Sequence, residues 1–395
     1  MAASEDSTFD VLVAGAGPAG ATAAFLLARA GLRVALLERT DFPRPKLCGG
    51  LLTEKTLSTV KRVFDSAPDE LERRRILHHC SRQYRVNAPG AALFEGRLQH
   101  PFWFADRTRY DHFFAGRAVA AGAVPFFSTR VDGFRRDGVG IGLDISGRRS
   151  LRGRFLIGAD GVFSRTRRTL VENGRMARSV DVGRAVALEA LVPFSADLRL
   201  PRIPQLFFGW AHQGYCWIFP GVDGHLVGIL STRRPGRGRL RKAFSGFLED
   251  VLPGVRLPAT PKGGALPYGG FLRRPGAGSV LLVGDAAGFA DPVLGEGIFY
   301  AHRSAELAAE AVKASLADPD CVADRYAEMV SDTLLPELQS ARRWQRLLYG
   351  VGRIVGYRPV SFILHRFHRP CESAVQGRRS FSLFRKQNRA VHYGY

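Results

Sequence analysis

The sequence predicts an α/β fold: a Rossmann-type nucleotide domain assembled from separated segments, an inserted antiparallel β-sheet domain, and a helical C-terminal extension. Three observations carry this. The chain opens on an apolar strand, a glycine-rich turn, a helix and a second strand. Two more apolar strands, each ending in a glycine–aspartate turn, follow far downstream at Phe155–Gly161 and Ser279–Gly288. Between them, residues 180–268 hold short β-like runs broken by Gly and Pro, and after Asp318 the pattern is helical for most of the remaining length.

A chain of 395 residues exceeds one ordinary domain. The motifs divide it into a discontinuous nucleotide domain (residues 1–75, 100–178 and 270–320), a substrate domain (76–99 and 179–269) and the extension (321–395). The composition, 46% hydrophobic and 24% charged, suits a globular protein with a sizeable core. Net charge is +21; seven of the 57 basic residues are Lys, leaving 50 Arg. Guanidinium groups suit phosphates, nucleic acid or anionic lipid. Their scatter along the chain favours a compositional bias, and no helix-turn-helix, RNP-like or zinc pattern supports nucleic-acid binding. The five cysteines are odd in number and form no CxxC pair, which argues against a disulfide framework or a metal site. A reduced, cytoplasmic setting fits best. The acidic N-terminus lacks the basic start of a signal peptide, and no uninterrupted apolar run approaches the length of a membrane span.

The first strand, Phe9–Ala14, feeds Gly15-Ala16-Gly17-Pro18-Ala19-Gly20 and a helix over Ala21–Ala30. Gly15 permits the tight turn, Gly17 lets the backbone approach a pyrophosphate, and Gly20 lets helix and strand pack closely. The helix N-terminus offers free N–H groups and positive dipole to the anion. The second strand, Arg33–Leu37, ends at Glu38, where a carboxylate can accept hydrogen bonds from ribose hydroxyls. The arrangement predicts a dinucleotide site.

The distal strands select FAD. Ser279–Val283 runs into Gly284-Asp285-Ala286-Ala287-Gly288, then Asp291-Pro292-Val293-Leu294-Gly295-Glu296-Gly297-Ile298 and a helix through Val312. An Asp at a strand end suits a polyol hydroxyl, and a Gly-x-Gly opening a helix points backbone N–H groups at an anionic acceptor. FAD has both needs, a ribitol chain and a flavin edge that becomes anionic on reduction. Gly138-Val139-Gly140-Ile141-Gly142 alternates like a hairpin strand, so no second dinucleotide turn is present. An NAD(P)H donor would bind transiently, or electrons would come from another reductant.

With the Gly158-Ala159-Asp160-Gly161 turn, the three motifs together resemble the p-hydroxybenzoate hydroxylase-type FAD superfamily over about residues 9–315. The resemblance implies that Asp285 binds ribitol, that Gly295, Gly297 and Ile298 cradle the flavin, and that Arg107 contacts the cofactor region. It extends the cofactor set to Pro18, Ala19, Arg39, Cys48, Gly49, Asp160, Gly284, Pro292 and Glu296. Without it, Arg107 reads as a surface helix-cap residue.

Within the superfamily, Pro43-Arg44-Pro45-Lys46-Leu47-Cys48-Gly49-Gly50 resembles the signature of geranylgeranyl reductases. Tyr215-Cys216-Trp217-Ile218-Phe219-Pro220, followed by Val227-Gly228, is similar to that family's Tyr-x-Trp-x-Phe-Pro element. The resemblance implies reduction of carbon–carbon double bonds in an apolar substrate such as an isoprenoid diphosphate or lipid. It assigns Cys48, Tyr215 and Trp217 to the catalytic site. Two readings stand for Cys48: a thiol beside the flavin that donates a proton or orders a loop, or a small buried hydrophobe. Pattern alone makes Tyr215 and Trp217 core residues. Flavin-dependent hydroxylases and halogenases carry the same three FAD motifs, and halogenases bear a similar Trp-x-Trp-x-Ile-Pro string. Cys48-Gly49-Gly50 stands where halogenases usually show Gly-Glu, which favours the reductase branch.

The strands expected in the inserted domain include Leu188–Val192, Gln205–Trp210 and Tyr215–Phe219, roofing the pocket. A loop is expected at Pro235-Gly236-Arg237-Gly238, before a helix over Leu240–Val251. Trp344, Leu347, Leu348, Val351, Ile354 and Val355 share a helical face flanked by arginines. Docking on the core is the favoured reading for this face; peripheral contact with a membrane surface is the other. The basic end, Arg378–Tyr395, reads as flexible.

Overall fold

The structure is a computed structural model that describes residues 8–138, 140–145, 151–178, 182–195, 198–232 and 238–382. Two eight-stranded sheets organise these residues. The first has Thr8–Ala14 at its centre, paired in parallel with Val34–Leu37 on one side and Arg152–Gly158 on the other. Val280–Leu282 extends it in parallel beyond Arg152–Gly158, and Val124–Phe126 beyond Val34–Leu37. Val34–Leu37 is a fully buried apolar run, and Arg152–Gly158 is buried and apolar from Phe155 to Ile157, as a sheet covered on both faces requires. The three motif turns therefore open at the same edge, because parallel strands end at the same side. The glycine-rich hairpin is borne out: Val131–Asp137 pairs antiparallel with Gly140–Ile145.

Helix Pro18–Arg29 crosses to Val34–Leu37 and packs on helix Ile298–Ala314. Pro18 opens the first helix, where its missing N–H is not needed. Between these helices, His302 accepts or donates at both ring nitrogens, to Thr22 and Tyr110, each at 2.7 Å. Burial pushes its pKa down to about 3, so it sits in this core as neutral imidazole.

The second sheet runs in the order Lys262–Pro267, Arg184–Pro193, Gly224–Ser231, Gly214–Pro220, Gln205–Phe207, Leu77–Ala88, Ala91–Ala105, Leu51–Leu52. It is antiparallel except where Gln205–Phe207 lies parallel to Leu77–Ala88. The Ala91–Ala105 strand runs unbroken through residue 100, where a domain boundary was expected, because its hairpin with Leu77–Ala88 continues to Ala105. The Gln205 strand stops at Phe207, short of the expected Trp210. Helix Arg239–Val251 covers one face of this sheet with Phe244 and Phe247. Pro235, Gly236 and Arg237 of the expected loop lie outside the described residues.

Helices Val322–Thr333, Leu335–Val355 and Arg358–Val375 form the extension. Among the described residues no helix is long and apolar enough to cross a membrane. The start of the basic tail is tied down: Glu337 accepts from the Ser380 hydroxyl (2.5 Å) and the Phe381 N–H (2.9 Å). Residues 383–395 lie outside the described residues.

Candidate active site

The three motif turns and one face of the second sheet enclose a single cavity of about 1640 Å³. At one end lies the turn after the first strand. Gly15 has φ +102°, and a Cβ there would sit 2.4 Å from the Ala159 carbonyl oxygen. A Cβ on Gly20 would meet the Gly15 carbonyl oxygen at 1.7 Å, so Gly20 is a packing glycine, in the role expected of it. Gly17 faces open space apart from the Arg44 guanidinium 3.9 Å away. That is the surface a pyrophosphate needs, since backbone can approach it unobstructed.

Glu38 is buried at the end of the second strand. It accepts from the Ala16 N–H (3.2 Å) and pairs with Arg44 (3.0 Å). Arg44 also reaches Asp111 at 3.2 Å, and Arg107 holds Asp111 from one helical turn away at 2.8 Å. Arg107 is thus a buried cavity residue and not a surface cap. Burial alone would lower its pKa, but the Asp111 carboxylate and the neighbouring Cys48 sulfur more than reverse this. Asp160 lines the cavity with one oxygen committed: Oδ2 accepts from the Arg165 and Thr166 N–H groups and the Thr166 hydroxyl. Its Oδ1 is buried with no hydrogen-bond partner.

At the third turn, the Asp285 carboxylate faces the cavity with no hydrogen bond among the described residues. Burial raises its pKa, while Lys46 and Arg107 draw it back. The following loop is held rigidly. Asp291 Oδ1 accepts from the Val293 (2.8 Å) and Leu294 (2.7 Å) N–H groups. Glu296 is buried, paired with Lys55 at 2.7 Å, and accepts from the Thr53 (2.5 Å) and Thr56 (3.0 Å) hydroxyls. Gly297 then opens the 17-residue helix from Ile298, whose N-terminal dipole points positive charge at the cavity. Gly20, Gly284 and Pro292 do not line the cavity. Gly284 instead packs against Ala19 and Ala301, and its N–H donates to the Ser304 hydroxyl.

The other end of the cavity is apolar. Tyr215, Trp217 and Phe219 stand on one face of their strand, their rings 6.1 and 6.3 Å apart in sequence. The Tyr215 hydroxyl donates to the Leu294 carbonyl and so holds the Gly295–Gly297 loop. That bond occupies the proton of a residue expected to be catalytic, and burial raises its pKa far above the usual phenol range. Trp217 lies across Gly228, where a Cβ would come 2.1 Å from Cζ2. Phe219 presses on Gly49, where a Cβ would come 2.6 Å from Cδ2. Cys48, half-buried, therefore sits at the junction between the two ends, its sulfur accepting from the Gly50 N–H at 3.4 Å. Leu206, Phe208, Leu266, Leu348 and Leu364 close the apolar chamber.

A model of the FAD binding domain family matches residues 8–201. Over 339 residues the chain is 32% identical to the menaquinone reductase of Mycobacterium tuberculosis strain H37Rv, covering 82% of each protein. Over 360 residues it is 31% identical to digeranylgeranylglycerophospholipid reductase 2 of Methanothermobacter thermautotrophicus, covering 87% of this chain and 89% of that one. The chain belongs to the geranylgeranyl reductase family of FAD-dependent oxidoreductases. A solved structure, that of a geranylgeranyl bacteriochlorophyll reductase-like protein from Thermoplasma acidophilum, shares the fold. Its TM-score is 0.75 at 20% identity, with 98% of this chain and 95% of that one covered.

The residues present fit FAD, the cofactor of this family. Gly17 leaves room for the diphosphate, Asp160 Oδ1 is buried with no partner among the described residues, and the Asp285 carboxylate faces the cavity, so both can accept from hydroxyl donors. Sequence reasoning missed Glu189. It lies in the strand Arg184–Pro193, lines the cavity, and is only 6% exposed. Burial pushes its pKa up to about 7, with Trp217, the Cys48 backbone and Lys262 pulling it back. The signal was a lone carboxylate between Leu188 and Ala190 in an otherwise apolar strand.

Proposed function

We propose that this oxidoreductase reduces carbon–carbon double bonds in the polyprenyl chain of an apolar or lipid-like substrate. One observation carries the reading: the groove that fits FAD opens without a partition into an aromatic-walled, apolar chamber. Hydroxylation of a small polar aromatic would not need that chamber. The names of the two relatives, a menaquinone reductase and a digeranylgeranylglycerophospholipid reductase, agree with it.

Bound and reduced, FAD supplies a hydride; the rest falls to the chain. The Gly15–Gly20 turn and Glu38 hold the dinucleotide end, with Arg39 beside them. Asp285 would hold the ribitol, and the Gly295–Gly297 loop would hold the flavin with its backbone N–H groups. Cys48-Gly49 would border the flavin where the groove opens into the chamber, and the Tyr215–Trp217–Phe219 wall excludes water so that the alkene meets a dry site. Lys46, exposed at the rim of the same cavity, suits a diphosphate or phosphate head group.

The substrate enters from the side of the extension. Ile354 (80% exposed) and Phe362 (74%) project from helices that line the chamber through Leu348, Val351 and Leu364. Arg342, Arg343 and Arg346 precede them on the same helical extension, so the extension joins exposed apolar side chains to basic ones, a pairing suited to peripheral contact with a bilayer.

The test uses FAD-loaded protein reduced anaerobically, by NAD(P)H or by dithionite. Adding geranylgeranyl diphosphate or a geranylgeranyl lipid should reoxidise the flavin and yield a product heavier by one H₂ per reduced bond. Flavin that is reoxidised only by oxygen, with oxygen inserted into a product, assigns the protein to the hydroxylase or halogenase chemistry instead.

A further inference from the structure

Reducing an isolated alkene needs a proton as well as a hydride, and Glu189 places a carboxyl group beside the Tyr215–Trp217–Phe219 wall. In the strand Arg184–Pro193, alternation sends Leu188 and Ala190 into the cluster under helix Arg239–Val251. Ala187 and Glu189 face the cavity. Across the sheet Glu189 stands in register with Gly228, and Gly228 with Trp217. Because Gly228 has no side chain, the Trp217 indole lies over it toward Glu189. On the other side of the carboxyl is the Cys48 backbone.

Its polar surroundings are sparse. Among the described residues Glu189 Oε2 is buried with no hydrogen bond of normal geometry, and the Trp217 Nε1–H and the Cys48 backbone are the polar groups that face the carboxyl. The charged group nearest in register is Lys262, on the exposed strand edge, and it forms no ion pair with Glu189. Among the described residues no ion pair balances this carboxylate, in contrast to Glu38, Asp111 and Glu296, which pair with Arg44, Arg107 and Lys55. A structural carboxylate in such a place would be costly to ionise; a neutral acid there keeps a proton ready to give.

We propose that Glu189 is the proton donor of the alkene reduction, acting from the chamber wall beside Cys48. The inference rests on the reading of this protein as an alkene reductase. In the step, the C=C π bond breaks. One carbon takes the Glu189 proton and the other takes hydride from the reduced flavin, so two C–H bonds form and the flavin is oxidised. Glu189 is left as carboxylate and regains a proton from water before the next turnover. A pKa pushed up to about 7 by burial suits an acid that must give and regain its proton near neutrality.

The test compares wild type with Glu189→Gln, which keeps size and hydrogen-bond acceptance but carries no acidic proton. FAD content and the rate of flavin reduction should be unchanged. Reoxidation of the reduced holoenzyme by geranylgeranyl diphosphate should slow by roughly 10²-fold or more. The wild-type rate should fall as pH rises through about 7, and the variant should lack that limb. Infrared spectra of the substrate-free holoenzyme, taken as a pH difference, should show a protonated-carboxyl band in wild type that Glu189→Gln removes. Should the Gln variant not fold, Glu189→Asp must shift both the band and the pH limb. A Gln variant with wild-type reoxidation and an unchanged pH limb, or the absence of the band, overturns the proposal. If wild type itself reduces no polyprenyl alkene, the reading of the function fails, and the infrared band still decides whether Glu189 is held as an acid.

Discussion

Removing one member of the Lys55–Glu296 pair tests how the flavin loop is held. Both side chains are nearly sealed, at 2% and 7% exposure, with Nζ and Oε2 2.7 Å apart. The Lys55 ammonium also lies 4.9 Å and 5.2 Å from the centres of the Phe299 and Tyr300 rings. Glu296→Gln leaves that ammonium with ring faces and no counter-charge; Lys55→Met leaves a carboxylate with two hydroxyl donors. Breaking a buried pair by one partner costs about 3–5 kcal/mol, since an uncompensated charge remains. The Thr53 and Thr56 hydroxyls soften the loss for Lys55→Met, so Glu296→Gln should be the more damaging. The double variant, with both charges gone, should recover most of the loss. The assay is urea unfolding of the apo-protein, together with FAD titration by fluorescence. FAD affinity should drop in both single variants, because Glu296 sits between Gly295 and Gly297, in the loop proposed to hold the flavin. Single variants within about 1 kcal/mol of wild type, a margin ordinary surface changes do not exceed, would refute the reasoning. So would a double variant no better than the worse single.

Three further predictions rest on the chamber wall. Gly228→Ala must displace the Trp217 indole, since the added Cβ would come 2.1 Å from its ring. Overpacking of this kind costs about 1–3 kcal/mol, and a change in tryptophan emission with weaker geranylgeranyl binding should accompany it while FAD affinity holds. Cys48→Ala should cut turnover more than FAD retention; full turnover at equal retention would remove Cys48 from the chemistry. Stability should also carry a Glu189 signature. A carboxyl whose folded pKa is raised from 4.5 to about 7 holds its proton more tightly folded than unfolded. Its contribution is therefore intact below the unfolded value and is lost as pH rises from 4.5 to about 7, by about 3 kcal/mol at 1.36 kcal/mol per pH unit. Glu189→Gln should flatten that decline in a series of thermal melts; parallel pH profiles for the two proteins would show that Glu189 is not strained by burial.

Local patterns were legible where one short segment holds the whole physical requirement. Gly15, Gly17 and Gly20 fall at spacings that only a strand–turn–helix crossing satisfies, and Glu38 ends the next strand. Contacts between distant segments were not. Glu296 meets Lys55 across 241 positions, and no local pattern marks either as half of a buried pair. Arg107 looked like a surface helix residue because its sequence neighbours Thr108 and Arg109 are polar; its burial comes from Cys48 and Asp111 closing over it. Trp217 and Tyr215 did read as core from their alternation, and they are buried, yet burial here is also the wall of a cavity. Periodicity reports which face is dry and is silent on whether protein or ligand fills the space beyond it.

The Tyr215–Trp217–Phe219 face shows how one strand can set three parts of a site at once. Alternate residues on a strand are spaced by about 7 Å, twice the rise per residue. Three aromatic side chains in that row therefore reach three different neighbours. Tyr215 bonds the flavin loop through the Leu294 carbonyl, Trp217 covers the gap at Gly228 toward Glu189, and Phe219 bears on Gly49 beside Cys48. Gly49 and Gly228 are then consequences of the rings that lie on them: each marks where an aromatic ring occupies the volume of a side chain. A substitution that enlarges either glycine must act through its ring. Gly49→Ala should disturb the Cys48 loop and Gly228→Ala the Glu189 side, so the two variants separate the thiol from the carboxyl as sources of the proton.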